Sequence, residues 1–347
     1  MVALARKTLV YEWRRFLPAM IAVGFAGLLQ LLQLALVLGI FGATSVYITG
    51  SSADVWVGFP GTQSVGSGRS IDANVESRIL MDPAVTRVEP YEWIDGDWRG
   101  TGETGGVSVF VSGIDPAAEG LMFSRVLPPA LRARLAEPDA VIVDRADLGK
   151  LGVALDQTAT INGHRVRVVG VSSGLRGLGG INVIASLDTA RQLDTDAADN
   201  GPTYLVAKLR DPTQADTVAI RLRGSSEFGP YTTWSAADFA HISVLYWLFD
   251  TGAGAGVLFL AGIVFLVGAV ITSQTLVGAV QGSVREYATL NALGVVVLLL
   301  ARSQDVPVVL GPLAAIACIA LVMGQAAVSG MAAMRSMRRI DPATLLR

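Results

Sequence analysis

The sequence contains very little of what metal and redox sites are usually built from. It has one cysteine and two histidines in 347 residues. The single cysteine, Cys318, excludes an intrachain disulfide, and we interpret it as a small apolar packing residue within a membrane span. His164 and His241 stand apart in the chain and belong to no Cys/His cluster. We therefore expect no metal site of the zinc type.

Motifs for binding nucleotides or calcium are also missing. The nearest string to a G-x-x-x-x-G-K-[ST] phosphate loop, DLGKLG at 147–152, continues with Leu151 where serine or threonine is required. The glycine-rich stretch 170–180 lacks the strand–GxGxxG–helix pattern and is interpreted as a loop between strands. The acidic residues of 194–199 lack the spacing of an EF-hand and indicate a solvated loop. We predict no catalytic, cofactor-binding or metal-binding residues, and so not an enzyme.

Charged side chains are scarce, and long stretches have none. Only 16% of the residues are charged and 52% are hydrophobic, whereas a soluble domain carries about 25% charged residues. The uncharged stretches are 16–53, 251–284 and 306–334. Each is longer than the roughly 20 residues that cross a bilayer core, which predicts three membrane spans. Their lack of ionisable residues argues against an ion-coupled carrier.

The remaining charges indicate the orientation of the chain. Residues 1–15 hold four basic and one acidic side chain, and residues 335–347 again hold four and one. Basic flanks stay on the cytoplasmic side, so both termini are predicted to be cytoplasmic. Between residues 54 and 238 there are 17 basic and 24 acidic side chains, a net charge of −7. This acidic domain is predicted to lie outside the cytoplasm, and its charge disfavours nucleic-acid binding.

Two cytoplasmic termini require an even number of crossings. The only candidate for a fourth crossing, 287–301, would reach only about 22 Å as a helix, short of the roughly 30 Å hydrocarbon core. It is interpreted as a short or truncated third span. The predicted organisation is an interfacial helix (1–15), the first span (16–43), the outer domain (44–243), the second span with an outer extension (244–281), a cytoplasmic segment (282–294), the short span and its loop (295–305), the last span (306–334) and a cytoplasmic tail (335–347).

The fold class predicted is an α-helical membrane protein with a large mixed α/β extracytoplasmic domain between its first two spans. Short β-branched runs predict strands at 54–59, 107–114, 140–144, 181–187 and 203–209. Asn162-Gly163 predicts a type I′ hairpin turn. Helices are predicted at 70–81, 128–135, 188–193 and 212–223, and another from 235 that runs into the second span.

Two glutamines interrupt the apolar first span. Gln30 and Gln33 are three residues apart and therefore share a helical face. An amide in lipid seeks a hydrogen-bond partner, so the preferred interpretation is packing against a neighbouring helix rather than substrate binding.

Several motifs resemble one protein family. The stretch REYATLNALG (285–294), the ending RRIDPATLLR (338–347) and the central VIVDRADLGKLGVALDQTATINGHRVRVVGV (141–171) resemble permeases of the MacB/FtsX class of ABC transporters. The N-terminal half, with ADVWVGFPGTQSV at 53–65, looks like the DevC-type branch. One departure is that Gly294 is followed at once by VVVLLLARSQD, where the family has most of a third span.

The resemblance implies a permease in the inner membrane that works with a separate ABC ATPase, a second permease copy, a membrane-fusion adaptor and membrane lipids. No cofactor is implied. The ATPase contact would be made by Arg285, Glu286, Tyr287, Ala288, Thr289, Leu290, Ala292, Leu293 and Gly294. The second span would carry the motion to the outer domain and export an amphiphilic substrate. Two alternatives remain open: a mechanical regulator of an envelope enzyme, or a degenerate paralogue without coupling.

Overall fold

The computed structural model describes residues 13–100, 105–177, 180–195, 201–223 and 229–282. The chain divides into two compact units, Gly39–Ala255 and the combination of Met1–Leu38 with Gly256–Arg347. The predicted cytoplasmic segment, short third span, last span and tail all lie outside the described residues, as does most of the interfacial helix.

The described residues form nine α-helices and nine strands. The helices are α1 (Trp13–Thr44), α2 (Val46–Thr49), α3 (Asn74–Leu80), α4 (Pro129–Ala133), α5 (Leu148–Leu151), α6 (Leu187–Leu193), α7 (Ala215–Leu222), α8 (Ala236–Leu245) and α9 (Gly252–Gly282). The strands are β1 (Val55–Gly58), β2 (Val85–Arg99), β3 (Val107–Ile114), β4 (Ala140–Asp144), β5 (Thr158–Ile161), β6 (His164–Ser172), β7 (Ile181–Ser186), β8 (Tyr204–Leu209) and β9 (Thr232–Ser235).

Two described helices are long and apolar enough to cross a membrane. The candidate spans are Met20–Thr44 within α1 and Gly254–Thr275 within α9, and only 6% and 11% of their most apolar windows are buried. A core helix of a soluble protein would be mostly buried, so these exposed apolar surfaces favour lipid as their surroundings. Two of the three clear spans predicted from the sequence are thus present as helices, and the third lies beyond the described residues.

One part of the outer unit is an antiparallel sheet in the order β9-β1-β8-β2. Side chains alternate across it, as the period of two in a strand requires. Val55 and Val57 of β1 pack with the helices α3 and α7 in one apolar cluster, whereas Trp56 belongs to a second cluster on the opposite face. The sheet therefore separates two cores.

The second part of the outer unit is a closed ring of six strands. The pairings run β2-β3-β7-β4-β6-β5 and return to β2. Valine and isoleucine side chains from these strands fill one buried cluster that also contains Trp98. Closure removes the unpaired edges that an open sheet would present. Strand β2 belongs to both parts, since Val85–Tyr91 pairs with β8 and Glu92–Trp98 pairs with β3.

The mixed α/β prediction for the outer domain is confirmed. The hairpin between β5 and β6 turns at Asn162 and Gly163, whose φ angles of +50° and +83° are those of a type I′ turn. Helix α3 begins at Asn74 rather than at the predicted residue 70. The strands β2 and β9 were not predicted.

The prediction of one helix running from 235 into the second span is wrong. Helix α8 ends at Leu245 and passes into a single π-helical turn, Tyr246–Asp250. Thr251 is extended, with φ −92° and ψ 132°, and α9 begins only at Gly252. The outer helix and the span helix are therefore separate elements.

Candidate functional site

The predicted site residues fall into two groups. The ATPase-coupling residues 285–294 lie outside the described residues, so their role stays a prediction. Gln30 and Gln33 lie on α1 and are partly buried. The two glutamines differ in what their side-chain amides contact.

Gln30 lies directly against α9. A Cβ built on Gly268 would overlap the Nε2 atom of Gln30 and lie 3.1 Å from its Cδ. Gly268 is therefore the residue that leaves room for the amide between the two helices. Gln33 has a buried Nε2 that finds no hydrogen-bond partner within the described part of the chain.

The outer unit holds an aromatic core with Trp56 of β1 at its centre. The Trp56 ring is fully buried, and its centroid lies 5.8 Å from Tyr91, 5.7 Å from Tyr204 and 5.5 Å from Phe239. Phe239 belongs to α8, and it stacks on Trp234 of β9 with centroids 4.8 Å apart. Aromatic pairs in these geometries add to the free energy of burial. The core thus anchors the helix that precedes the second span.

The same core receives the segment that follows the first span. Tyr47 of α2 meets Trp93 edge-on at 4.7 Å and Phe123 at 6.2 Å, and Phe123 in turn meets Tyr91 at 6.4 Å. Burial of the Tyr47 side chain raises the pKa of its hydroxyl well above the usual range. Helices α2 and α8 also contact each other. The two segments that connect the outer unit to α1 and α9 are therefore packed into one apolar body.

A buried arginine supports the loop that covers this body. The Arg132 side chain is 1% exposed, and its guanidinium donates to the backbone carbonyl of Asp115 at 2.7 Å and to that of Met122. Burial lowers the pKa of Arg132. A charged donor shared between two carbonyls holds the loop 115–122 in one conformation.

Glu89 of β2 fixes the same loop from the other side. Its Oε2 accepts a hydrogen bond from the backbone N–H of Leu121 at 2.7 Å, and its Oε1 lies 2.6 Å from Nε of Arg87. Arg87 also pairs with Asp115 at 2.9 Å. Burial raises the pKa of the Glu89 carboxyl, although the Leu121 N–H and the charge of Arg87 oppose the shift.

The loop 115–122, which we call the braced loop, and the residues just after it are hydrogen-bonded to the chain that follows α2. The backbone N–H of Ser52 donates to the carbonyl of Leu121 at 3.0 Å, and the N–H of Arg125 donates to the carbonyl of Gly50 at 3.1 Å. Phe123, between these contacts, has a φ of +55° while fully buried. A non-glycine residue in this region is strained and persists only where its surroundings hold it.

A compact joint separates α8 from α9. The N–H of Thr251 donates to the carbonyl of Tyr246 at 3.1 Å, and its Oγ1 donates to the carbonyl of Trp247 at 2.7 Å. A Cβ on Gly254 would overlap the carbonyl oxygens of Trp247 and Leu248. Glycine is therefore required at position 254 for the chain to fold back so tightly.

A cleft of about 440 Å³ lies beside α8. Its lining residues come from the loop after β1, the end of α7, the strand β9 and one face of α8. They are Pro60, Gly61, Thr62, Gln63, Arg223, Thr232, Trp234, Asp238, His241 and Ile242. Within the described residues there is no group of three or more histidine, cysteine, aspartate or glutamate side chains arranged for a metal ion.

Sequence reasoning missed most of this arrangement. The strands that carry Trp56 and Tyr204 were predicted, but not that their aromatic side chains meet. The burial of Arg132 was not predicted, because a basic residue within LRARL is typical of an exposed helix position. The sequence also did not predict that Gly254 would lie in a tight joint between two helices.

The comparisons with known proteins identify the outer domain. The family model of the MacB-like periplasmic core domain matches residues 19–225, which is more than half of the chain. The search of curated proteins finds no match. Among solved structures, the periplasmic region of MacB from Actinobacillus actinomycetemcomitans is 12% identical with a TM-score of 0.37, over 56% of this chain and 94% of that one.

A second solved structure is similar to a comparable extent. It is the extracellular domain of the noncanonic ABC-type transporter YknZ from Gram-positive bacteria, 13% identical with a TM-score of 0.34, over 53% of this chain and 100% of that one. The DevC-type branch is not distinguished by these comparisons. The family match makes this a membrane protein with an extracytoplasmic domain, and the chain belongs to the family of ABC transporter permeases of the MacB/FtsX class.

Proposed function

We propose that the chain is the permease subunit of an ABC-type export complex. It transmits the ATP-driven motion of a separate ATPase to its outer domain, which moves or extracts an amphiphilic substrate. Family membership supports a permease role. The DevC-type branch, the inner-membrane location and the cytoplasmic position of both termini are parts of the same proposal.

The observation that carries the proposal is the shared aromatic core of α2 and α8. Both connections to the span helices are embedded in it, through Tyr47 on one side and Phe239 on the other. Protein interiors are close-packed and transmit strain with little compression. A displacement of either connection is therefore received by the whole outer domain rather than absorbed in a loose linker.

In this proposal the connection through α2 and the braced loop is stiff, whereas the connection through the joint between α8 and α9 can bend. Arg132 and Glu89 hold the loop that is hydrogen-bonded to the chain after α2. On the other side, the interrupted helix at Thr251 provides a place where α9 turns relative to α8. Helix α9 contains no proline between Gly252 and Gly282, which suits a rigid pushing element.

The partners of the complex are proposed as follows. The 285–294 segment contacts the ATPase, a second copy of the chain completes the permease, and a membrane-fusion adaptor binds the outer domain. ATP is hydrolysed on the partner chain. The segment 295–305 is a shortened third span in this arrangement.

Co-purification with an ABC ATPase from the same organism tests the coupling. We expect full-length chain to retain the ATPase and Glu286→Arg to release it, while Asp341→Arg in the tail serves as the matched charge reversal. An amphiphile that stimulates ATP hydrolysis in nanodiscs supports export. Capture of an envelope hydrolase without any such stimulation would instead support the regulatory function.

Cysteine labelling of intact cells tests the topology on which coupling depends. In a Cys318→Ala background, Gln304→Cys should react with an impermeant reagent and Arg347→Cys should not. Labelling of residue 347 from outside would show that the tail is extracytoplasmic rather than cytoplasmic. The family assignment would stand in that case, but this chain would not couple as proposed.

A further inference from the structure

The cleft beside α8 is built from two regular faces of the fold. Asp238, His241 and Ile242 are spaced i, i+3 and i+4 on α8, so they lie on one side of that helix. Thr232 and Trp234 are two apart on β9 and so point to the same side of the strand. The tertiary packing of α8 on β9 turns these faces into one cleft.

The two charged side chains and the histidine of the cleft have no partners among the described residues. The side chains of Arg223, Asp238 and His241 make neither an ion pair nor a hydrogen bond anywhere in the described part of the chain, although the backbone N–H of Asp238 donates to Oγ of Ser235. Arg223 and Asp238 carry opposite formal charges, so the lining is neutral with histidine counted as neutral. An unpaired cation and an unpaired anion in one cleft complement a ligand that carries both charges.

The apolar part of the lining fits the same kind of ligand. Trp234 is 9% exposed and is covered on one side by Phe239, so its remaining edge contributes to the cleft. This edge offers an apolar surface for the methylene groups that join a phosphate to an ammonium group. The volume of about 440 Å³ falls within the roughly 300–1,000 Å³ typical of small-molecule sites.

We propose that this cleft binds an amine-bearing phosphate ester of the phosphoethanolamine type. Arg223 holds the phosphate, since guanidinium groups pair well with phosphate oxygens. Asp238 holds the ammonium group, the edge of Trp234 lies against the methylene groups, and Thr232 and His241 supply further polar contacts. The net charge of −7 between residues 54 and 238 disfavours a ligand with a net negative charge.

The position of the cleft along α8 favours a membrane lipid as the source of this head group. His241 precedes Tyr246 and Trp247 by about 8 Å along a helical axis, and tyrosine and tryptophan pairs of this kind mark membrane interfaces. A free glycerophosphodiester carries the same chemistry. The site does not depend on ATP-driven coupling, so it stands or fails separately from the proposed function.

Binding to the full-length chain in an uncharged maltoside detergent tests the site. Glycerophosphoethanolamine and a short-chain phosphatidylethanolamine are titrated by calorimetry in the absence of any ATPase. We expect saturable binding of both, weakened about tenfold or more by Arg223→Gln and by Asp238→Asn, because each substitution removes a charge-assisted contact. Tighter binding of the lipid identifies the membrane as the source, whereas equal binding shows that the free ester suffices.

Matched variants on other surfaces separate the site from general charge effects. Arg165→Gln and Asp188→Asn remove exposed charges elsewhere in the outer unit and should leave both affinities unchanged. Equal weakening in these controls would overturn the proposal. It would also be overturned if glycerophosphoglycerol or inorganic phosphate bound as tightly as glycerophosphoethanolamine, or if no titration saturated. All four variants alter exposed side chains, so thermal unfolding should show that they remain folded.

Discussion

The amide of Gln30 on α1 occupies the space that a side chain at Gly268 on α9 would need. A Cβ at position 268 would lie 3.1 Å from the Cδ of Gln30 and would overlap its Nε2. Small residues at a helix contact in lipid allow backbones to approach and polar groups to find partners. Packing of the first span against the second through Gln30 is therefore proposed as the role of this glutamine.

Substitution of Gly268 should weaken the pairing of the two helices. We expect Gly268→Ala to lower the free energy of unfolding in detergent by about 1 kcal/mol, because the added methyl group pushes the flexible end of Gln30 out of its place. Gly262→Ala on the same helix meets no atom within 4 Å and is the matched control. Reversible unfolding in mixed detergent micelles measures both.

A second substitution shows whether the collision is with Gln30 itself. Gln30→Ala combined with Gly268→Ala should recover most of the loss, since the two side chains no longer compete for the same space. Simple addition of the two effects would refute a direct contact between these positions.

Gly254 should be essential for the joint between α8 and α9. Gly254→Ala places a methyl group on the carbonyl oxygens of Trp247 and Leu248, whereas Gly252→Ala meets nothing within 4 Å. We expect faster amide hydrogen exchange across 246–254 in the first variant alone, because the chain must open to relieve the overlap. If both variants exchange like wild type, the tight turn at Thr251 does not require glycine.

Arg132 should contribute far more to stability than its near neighbour Arg134. Arg132→Met leaves two carbonyl oxygens without their buried donor, which should cost about 2–4 kcal/mol. The Arg134 side chain is 40% exposed and makes a 3.4 Å ion pair with Asp156, so Arg134→Met should change the free energy of unfolding by less than about 1 kcal/mol. Urea unfolding of the outer domain in the full chain compares them, and equal losses would contradict the bracing role.

Two carboxylates should affect stability in opposite directions with pH. Burial raises the pKa of Glu89, so the native state holds this proton more tightly than the unfolded chain does. Its stabilisation is complete below the ordinary glutamate pKa of about 4.3 and is lost as the pH rises through the native value. As the pH rises above the ordinary glutamate pKa, the wild type loses this stabilisation and Glu89→Gln does not. The variant should therefore gain stability relative to wild type.

Asp82 provides the comparison. Its side-chain hydrogen bonds with Arg221, 2.8 Å and 2.7 Å long, lower its pKa. That stabilisation is present above the ordinary aspartate pKa of about 3.9 and disappears as the pH falls through the native value. Asp82→Asn should be less stable than wild type at pH 7, by about 1 kcal/mol, and the difference should close in acid. Urea midpoints from pH 3 to pH 7 test both variants.

Much of the outer domain could be predicted because its elements carry local signals. The strand β4, AVIVD, is short, β-branched and ends at an acidic residue, and it runs from Ala140 to Asp144 as expected. The Asn162-Gly163 turn also formed where predicted, since few other dipeptides adopt two consecutive positive φ angles. In both cases the local preference and the tertiary structure agree.

The missed elements are those in which tertiary contacts override the local pattern. Strand β2 contains Glu89, Pro90 and Glu92, residue types that are depleted in strands. It nevertheless forms because both glutamates are buried with partners, Glu89 with the N–H of Leu121 and Glu92 with that of Thr203. No window of sequence around β2 contains those partners.

The sequence by itself determined the class of this protein. Long uncharged runs, an acidic domain between them and a glycine-marked hairpin are local properties, and local properties follow from composition and spacing. Only the tertiary structure decided that Tyr47 and Phe239, nearly two hundred residues apart, share one aromatic core. It also decided that the helical structure is interrupted at Thr251, before the second span helix begins. Both features depend on contacts between side chains that are distant in sequence and on which backbone N–H and C=O groups still need hydrogen-bond partners. A local sequence pattern contains neither kind of information.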